Sequence, residues 1–225
     1  MAYTLDYLNK KTYNTTMGRY KSSIEVNFII KNIKSKTTSI LDICGGSGRI
    51  IIPLTKYSSN ITVIDIDEDA LRILHERNLG ISTVCGDFSQ VLLEKKYSLI
   101  LCIEGPDYFQ DKRAFFDKVS ELMDEDGKFI FTYTNPNSWR YILRKLKNFT
   151  KTDPYHVMDL NYLQELLKSH EMEIENIEGF YWMPFSVMSN NPLVKVFEFL
   201  EKNLKLNRWL SQSPWLMVSV KRKKE

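Results

Sequence analysis

Short apolar runs recur along the first 134 residues with helical patterns between them, and this alternation constrains the fold more than any other feature. SILDIC (39–44), ITVIDI (61–66), ISTVC (81–85), SLILCI (98–103) and KFIFTY (128–133) are rich in Ile, Val, Leu and aromatics. Each is apolar on both faces, as strands buried on both sides of a parallel sheet are. EDALRILHERN and DKRAFFDKVSELM carry apolar residues at three-and-four spacing, the mark of amphipathic helices. DEDG (124–127) supplies a stop after the second, with Gly127 suited to a helix C-terminal cap. The pattern predicts a doubly wound, mostly parallel α/β sheet with right-handed crossovers.

Beyond residue 134 the pattern loosens. A turn-rich NPNSW and a basic RYILRKLKNFTK lead to a helix in DLNYLQELLKSH, a strand in MEIENIEGFYW and a terminal strand in WLMVSVKRK. These bring the expected strand count to seven. With 225 residues, 43% hydrophobic and 26% charged, the chain has the length for one full core. Residues 1–225 are therefore expected to form a single domain, with 135–157 and 183–212 as insertions at one end of the sheet.

A net charge of +3 lacks the dense basic face of a nucleic-acid binder. Cys44, Cys85 and Cys102 are odd in number and lie in or just after apolar runs, which reads as reduced thiols of a cytoplasmic protein. The N-terminus carries no signal-like apolar stretch, and no apolar run approaches the ~18 residues a membrane span needs. The expected state is monomer or homodimer, and no metal-ligand spacing is evident.

The first strand leads into LDICGGSGR (41–49), a glycine density that brings backbone close to a ligand. No Lys-Ser or Lys-Thr follows, so the triphosphate-cradling loop fails. The dinucleotide fingerprint half fits: Gly46 and Gly48 match, but Ile51 stands where a third glycine serves close helix–strand packing. Asp65 ends the second strand, 17 residues past Gly48, where a carboxylate can accept both hydroxyls of a ribose. Asp87 ends the third. The pair suits an adenosine on a ligand without phosphate.

At this point the chain resembles the class I S-adenosylmethionine-dependent methyltransferases, in their small-molecule branch. ILDICGGSGR is similar to the family's first motif, VIDIDEDAL to the second, GDF to the third, YSLILCIEG to the fourth strand and LMDEDGKFIFT to the step into the fifth. The resemblance covers roughly residues 35–182. It implies a Rossmann-like seven-stranded sheet whose final strand is antiparallel, an N-terminal lid (1–34), a cofactor-binding core (35–134) and insertions over the pocket. It implies that Asp42 and the Cys44–Gly48 loop, with Gly45, Gly46 and Gly48, hold the methionine end of S-adenosylmethionine. Asp65 would take the ribose, Ile66 would pack on adenine, and Asp87 and the Phe88 backbone would meet the adenine edge. In the lid, Arg19 would pair the carboxylate and Tyr20 or Tyr13 would close over the methyl group. The family usually has glycine at position 44; the expectation is that only the Cys44 carbonyl is used, with no positive φ.

The expected reaction is methyl transfer to O or N of a small-molecule acceptor. Candidate general bases at the sheet edge are Glu104, Asp107 and His156, against plainer roles as a cavity wall, a helix N-cap and a loop residue. His75 and His170 are expected at solvent. Trp139, Ile142, Leu143 and Leu146 at helical spacing suit a pocket wall, a plain amphipathic helix or a membrane- or anion-facing surface. Leu193, Val196, Phe197, Leu200 and Leu204 suit core or dimer packing. The competing functions are a non-catalytic cofactor- or partner-binding protein on the same fold, and a nucleic-acid or protein methyltransferase. EGPDY after the fourth strand lacks the Asn/Asp-Pro-Pro-aromatic run of the amino-methylating nucleic-acid enzymes.

Overall fold

A computed structural model describes residues 13–33, 39–147 and 155–223. Seven strands form one sheet: β1 Ser39–Ile43, β2 Asn60–Asp65, β3 Ser82–Cys85, β4 Tyr97–Cys102, β5 Met123–Thr134, β6 Met172–Phe180 and β7 Trp215–Arg222. Their order is β3-β2-β1-β4-β5-β7-β6. Six run parallel, and β7 lies antiparallel between β5 and β6. Among the described residues six α-helices accompany the sheet: α1 Thr16–Ile30, α2 Glu68–His75, α3 Lys112–Leu122, α4 Trp139–Lys147, α5 Leu160–Ser169 and α6 Leu193–Asn203.

Apolarity on both strand faces builds a core on each side. Phe129, Phe131 and Tyr133 of β5 point to one face, with Phe116 and Leu163. Ile130 points to the other, with Phe28, Ile29 and Val63. Thr15, Asp67, Asp111 and Asp159 each start a helix by accepting the amide three residues on, satisfying an otherwise orphaned donor.

Four expectations are corrected here. Gly127 does not cap α3, which ends at Leu122 and runs straight into β5. The ladder pairs Tyr97 with Met123 and then Leu99 with Lys128, so 124–127 are extruded as a bulge. Gly127 serves that bulge by close packing, since a Cβ there would lie 2.6 Å from Met123 Cγ. Asp107 is not the α3 N-cap; Asp111 is. His170 is not at solvent: its ring lies against Phe116, with Nδ1 2.6 Å from the Leu166 carbonyl and Nε2 3.0 Å from Asp117 Oδ1. Leu193, Val196, Leu200 and Leu204 of the α6 segment are exposed rather than core, and α6 buries Val194 and Glu201 instead.

β1 lies between β2 and β4, so the chain departs in opposite directions from these two neighbours. In open α/β sheets a ligand crevice forms there, beyond the carboxyl ends of the strands.

Candidate functional site

Both strands at this crossover end in left-handed backbone. Cys44 follows β1 with φ +59° and Glu104 follows β4 with φ +62°, each costing on the order of 1 kcal/mol for a non-glycine residue. The expectation of an ordinary φ at Cys44 is thereby overturned. Burial pushes the Cys102 thiol up, and the neighbouring Cys44 adds to the rise. The backbone beside them is tight: a Cβ on Gly105 would stand 2.4 Å from Cys102 Sγ and 3.3 Å from Cys44 Cβ. The glycine loop is strapped to β2. Cys44 N–H donates to the Ile64 carbonyl at 2.8 Å, and Gly46 N–H to Asp65 Oδ2 at 2.8 Å. The other Asp65 oxygen accepts Asp67 N–H at 2.9 Å.

The loop, the ends of β2 and β3, the turn after β4 and the start of α3 enclose a cavity of about 800 Å³. Asp42, Cys44, Gly45, Gly46, Asp65, Ile66, Asp87, Phe88 and Glu104 all line it. Gly48 does not; it turns the chain behind the loop at φ +92°, against Leu74 and Ile52.

The wall is electrostatically uneven. Asp42 is buried, its Oδ2 without a hydrogen-bond partner among the described residues, and burial pushes its carboxyl up to about 7. Burial alone would raise Glu104 too, but Lys21 and Arg49 outweigh it and bring the carboxyl down to about 2. Glu104 Oε1 lies 2.8 Å from both Lys21 Nζ and Arg49 Nη2. Tyr13 donates its hydroxyl to the same carboxylate at 2.7 Å and stacks on the Arg49 guanidinium at 4.2 Å. Arg49 also pairs with Glu25, which is buried in α1. Two cations and two carboxylates thus tie α1, the glycine loop and the β4 turn together. Arg49, Lys21 and Glu25 carry no assignment in the sequence reading, although Arg49 closes the glycine motif itself.

Several candidates fall elsewhere. Arg19 is exposed and donates to Asn14, and Tyr20 is buried with its hydroxyl on Glu201; Arg49 and Tyr13 line the cavity instead. Asp107 is buried below the cavity, Oδ2 accepting Thr134 N–H at 3.0 Å, with burial raising its carboxyl. His156 has an exposed side chain, and its N–H donates to the Asp107 carbonyl at 2.8 Å. Glu104 lines the cavity, but its ion pairs leave it a weak base. Ile66 is 74% exposed at the cavity mouth, an apolar surface suited to a flat ring. Asp87 is exposed; the Ser89 hydroxyl and amide lower its carboxyl.

Residues 40–127 match the family model of a methyltransferase domain. Over these residues the chain is a methyltransferase domain, on the Rossmann-like fold of S-adenosylmethionine-dependent methyltransferases. A ubiquinone biosynthesis O-methyltransferase of Rickettsia bellii is 24% identical over 205 residues, 80% of this chain and 84% of that protein. A release factor glutamine methyltransferase of Buchnera aphidicola is 30% identical over 127 residues, 52% of this chain and 46% of that one. The magnesium protoporphyrin IX methyltransferase of Synechocystis, solved with bound SAH, superposes with a TM-score of 0.68 at 12% identity, covering 97% of this chain and 89% of that one. A methyltransferase from Mesorhizobium loti gives 0.64 at 18% identity, covering 86% and 96%.

The cavity of this methyltransferase fits S-adenosylmethionine on its own terms. The unpartnered Asp42 oxygen is a buried acceptor in want of a cation, which an α-ammonium group would supply. A Cβ on Gly45 would stand 2.6 Å from that oxygen, so only glycine keeps it open.

One prediction follows from the charge state. Below about pH 7 Asp42 is protonated in the free protein, and an ammonium ligand must first displace that proton. Affinity for S-adenosylhomocysteine should therefore rise on the order of tenfold from about pH 6 to about pH 8. Calorimetry in buffers of different ionisation enthalpy should register proton release at the lower pH, and Asp42→Asn should flatten the profile. A flat profile in the parent protein would remove Asp42 from the ligand.

Proposed function

We propose that this enzyme methylates oxygen or nitrogen of a small-molecule acceptor, an acidic hydroxyl of the phenol type being the nucleophile its site suits best. When bound, S-adenosylmethionine supplies a methyl carbon made electrophilic by its sulfonium. The chain supplies position. Asp42 and the loop amides would fix the amino-acid end, Asp65 the ribose, and Ile66, Asp87 and the Phe88 backbone the adenine. Residues 13–33 would act as the lid, since α1 reaches the cavity wall through Lys21, and 135–157 and 183–212 as the acceptor side.

The observation that carries the choice of nucleophile is the state of Glu104. The carboxylate at the β4 turn is held by two cations and a tyrosine, and the nearby histidine turns to solvent. A site of this kind favours an acceptor that loses its own proton readily over one that needs a strong base. The coverage of the Rickettsia O-methyltransferase over most of both chains supports the same reading.

The test is turnover with a catechol and with a primary amine of similar size, after calorimetry with S-adenosylhomocysteine and with NAD as the control. The catechol rate should follow the ionisation of the catechol itself, and His156→Ala should leave it unchanged. A catechol rate that falls sharply in His156→Ala would restore His156 as a base. Transfer to the amine alone would shift the assignment to nitrogen.

A further inference from the structure

We propose that α4 and α6 together form a docking face for an anionic lipid bilayer, beside the mouth of the cavity. An amphipathic helix on a globular domain normally turns its apolar stripe inward. These two turn theirs outward. Ile142, Leu143 and Leu146 share one face of α4 and are exposed, Leu146 by 68%. On α6 and its C-cap, Leu193, Val196, Leu200 and Leu204 form an exposed stripe, flanked by Phe199 at 64%.

The two helices are held as one surface. The Arg140 guanidinium of α4 donates to the carbonyls of Met183 and Phe185 at 2.7 and 2.8 Å. Phe185 then meets Phe197 of α6 edge-on at 5.4 Å. The surface also adjoins the site. Arg144 of α4 stacks on Tyr155, and Tyr155 packs at 5.4 Å on Tyr108, which lines the cavity.

Charge selects the occupant. Segments 139–147 and 193–209 hold eight basic and two acidic residues, a net +6, whereas the whole chain is +3, leaving −3 for the remainder. A two-fold dimer would set this patch against its own copy, placing like charges face to face. Nucleic acid would satisfy the cations and leave the Leu and Phe side chains unpaired with anything apolar. A bilayer of anionic lipid meets both needs, taking the apolar stripe at the acyl boundary and the basic rim at the headgroups. No helix among the described residues is long and apolar enough to cross a membrane, so the contact is interfacial.

The docking measurement is independent of turnover. The full chain is sedimented with vesicles of phosphatidylcholine alone, and with vesicles containing about a third phosphatidylglycerol. The parent protein should pellet with the second kind at least about tenfold more strongly, and less as salt rises. The variant Leu143→Glu/Leu146→Glu/Phe199→Glu should lose that binding while keeping its affinity for S-adenosylhomocysteine. Lys145→Glu, a milder change, should weaken it in part. Absence of vesicle binding by the parent, or equal binding by the triple variant, overturns the proposal. A light-scattering mass of twice the chain that the triple variant halves would assign the face to a second copy.

Discussion

Replacing Asp65 by alanine should weaken S-adenosylhomocysteine binding on the order of a hundredfold, whereas Asp87→Ala should weaken it only several-fold. The two acids occupy equivalent strand ends, and the structure separates them. Asp65 uses one oxygen for the Gly46 amide and the other for the Asp67 amide, so it shapes the glycine loop in addition to its proposed role as the ribose acceptor. Hydrogen bonds to a charged group contribute about 1.5–3 kcal/mol each, and 1.4 kcal/mol is a factor of ten. Asp87 is exposed and directs Oδ1 to Ser89. Its removal costs a single solvent-competed contact, about 0.5–1.5 kcal/mol. Asp65→Asn should fall between parent and alanine, because an amide oxygen can still accept one of the two loop amides. Calorimetry on the three variants, with thermal melts to confirm folding, checks the order. Equal losses at 65 and 87 would mean that the loop anchor contributes nothing to binding, and no loss at either would dismantle the site assignment.

The parts of this molecule that were legible in the sequence are those whose signal is local. Each central strand was recoverable because burial on two faces leaves an uninterrupted apolar run, and β2 and β4 differ from their expected spans by a residue. The cavity wall was recoverable because Asp42, Asp65 and Asp87 stand at strand ends next to glycine-bearing turns. What escaped was set by contacts distant in sequence. Arg49 meets Glu25 and Glu104 across 24 and 55 residues, and no periodicity records such a partnership. The one local trace was Lys21 and Glu25, four apart on the otherwise mostly apolar buried face of α1. The stripes of α4 and α6 were visible, but an apolar face says only that it wants a neighbour. The bulge at 124–127 escaped for a related reason: its residues read as a turn, and only the ladder from β4 shows that the strand had already begun at Met123.

Arg49→Met should destabilise the fold by about 3–5 kcal/mol, the range for removing one partner of a buried ion pair. Glu25 is buried without exposure of its carboxylate, and Arg49 is its near partner; Lys21 Nζ stands 4.0 Å away and is committed to Glu104 at 2.8 Å. Without the guanidinium, Glu25 must either remain charged in an apolar wall or take up a proton. Burial already raises its carboxyl above the ordinary range, and Arg49 and Lys21 hold it down, so the variant's Glu25 titrates higher still. The sign of the pH effect follows. The penalty is fully present above the folded-state pKa of Glu25 and vanishes below its unfolded value, where both states carry the proton. Thermal melts should show the gap between parent and variant closing as pH falls from about 8 to about 5. At roughly 2–4 °C per kcal/mol for a chain of this size, the gap at the upper pH should be on the order of 10 °C. Glu25→Gln added to Arg49→Met should recover much of it, because the stranded charge is gone. A gap that does not change with pH would mean that the loss comes from packing rather than charge. A variant as stable as its parent would mean that the network adds nothing to the stability of the fold. The expected pattern, with a large loss at pH 8, a small loss at pH 5 and rescue by the second substitution, would identify Arg49 as the residue that keeps α1 fastened over the cavity.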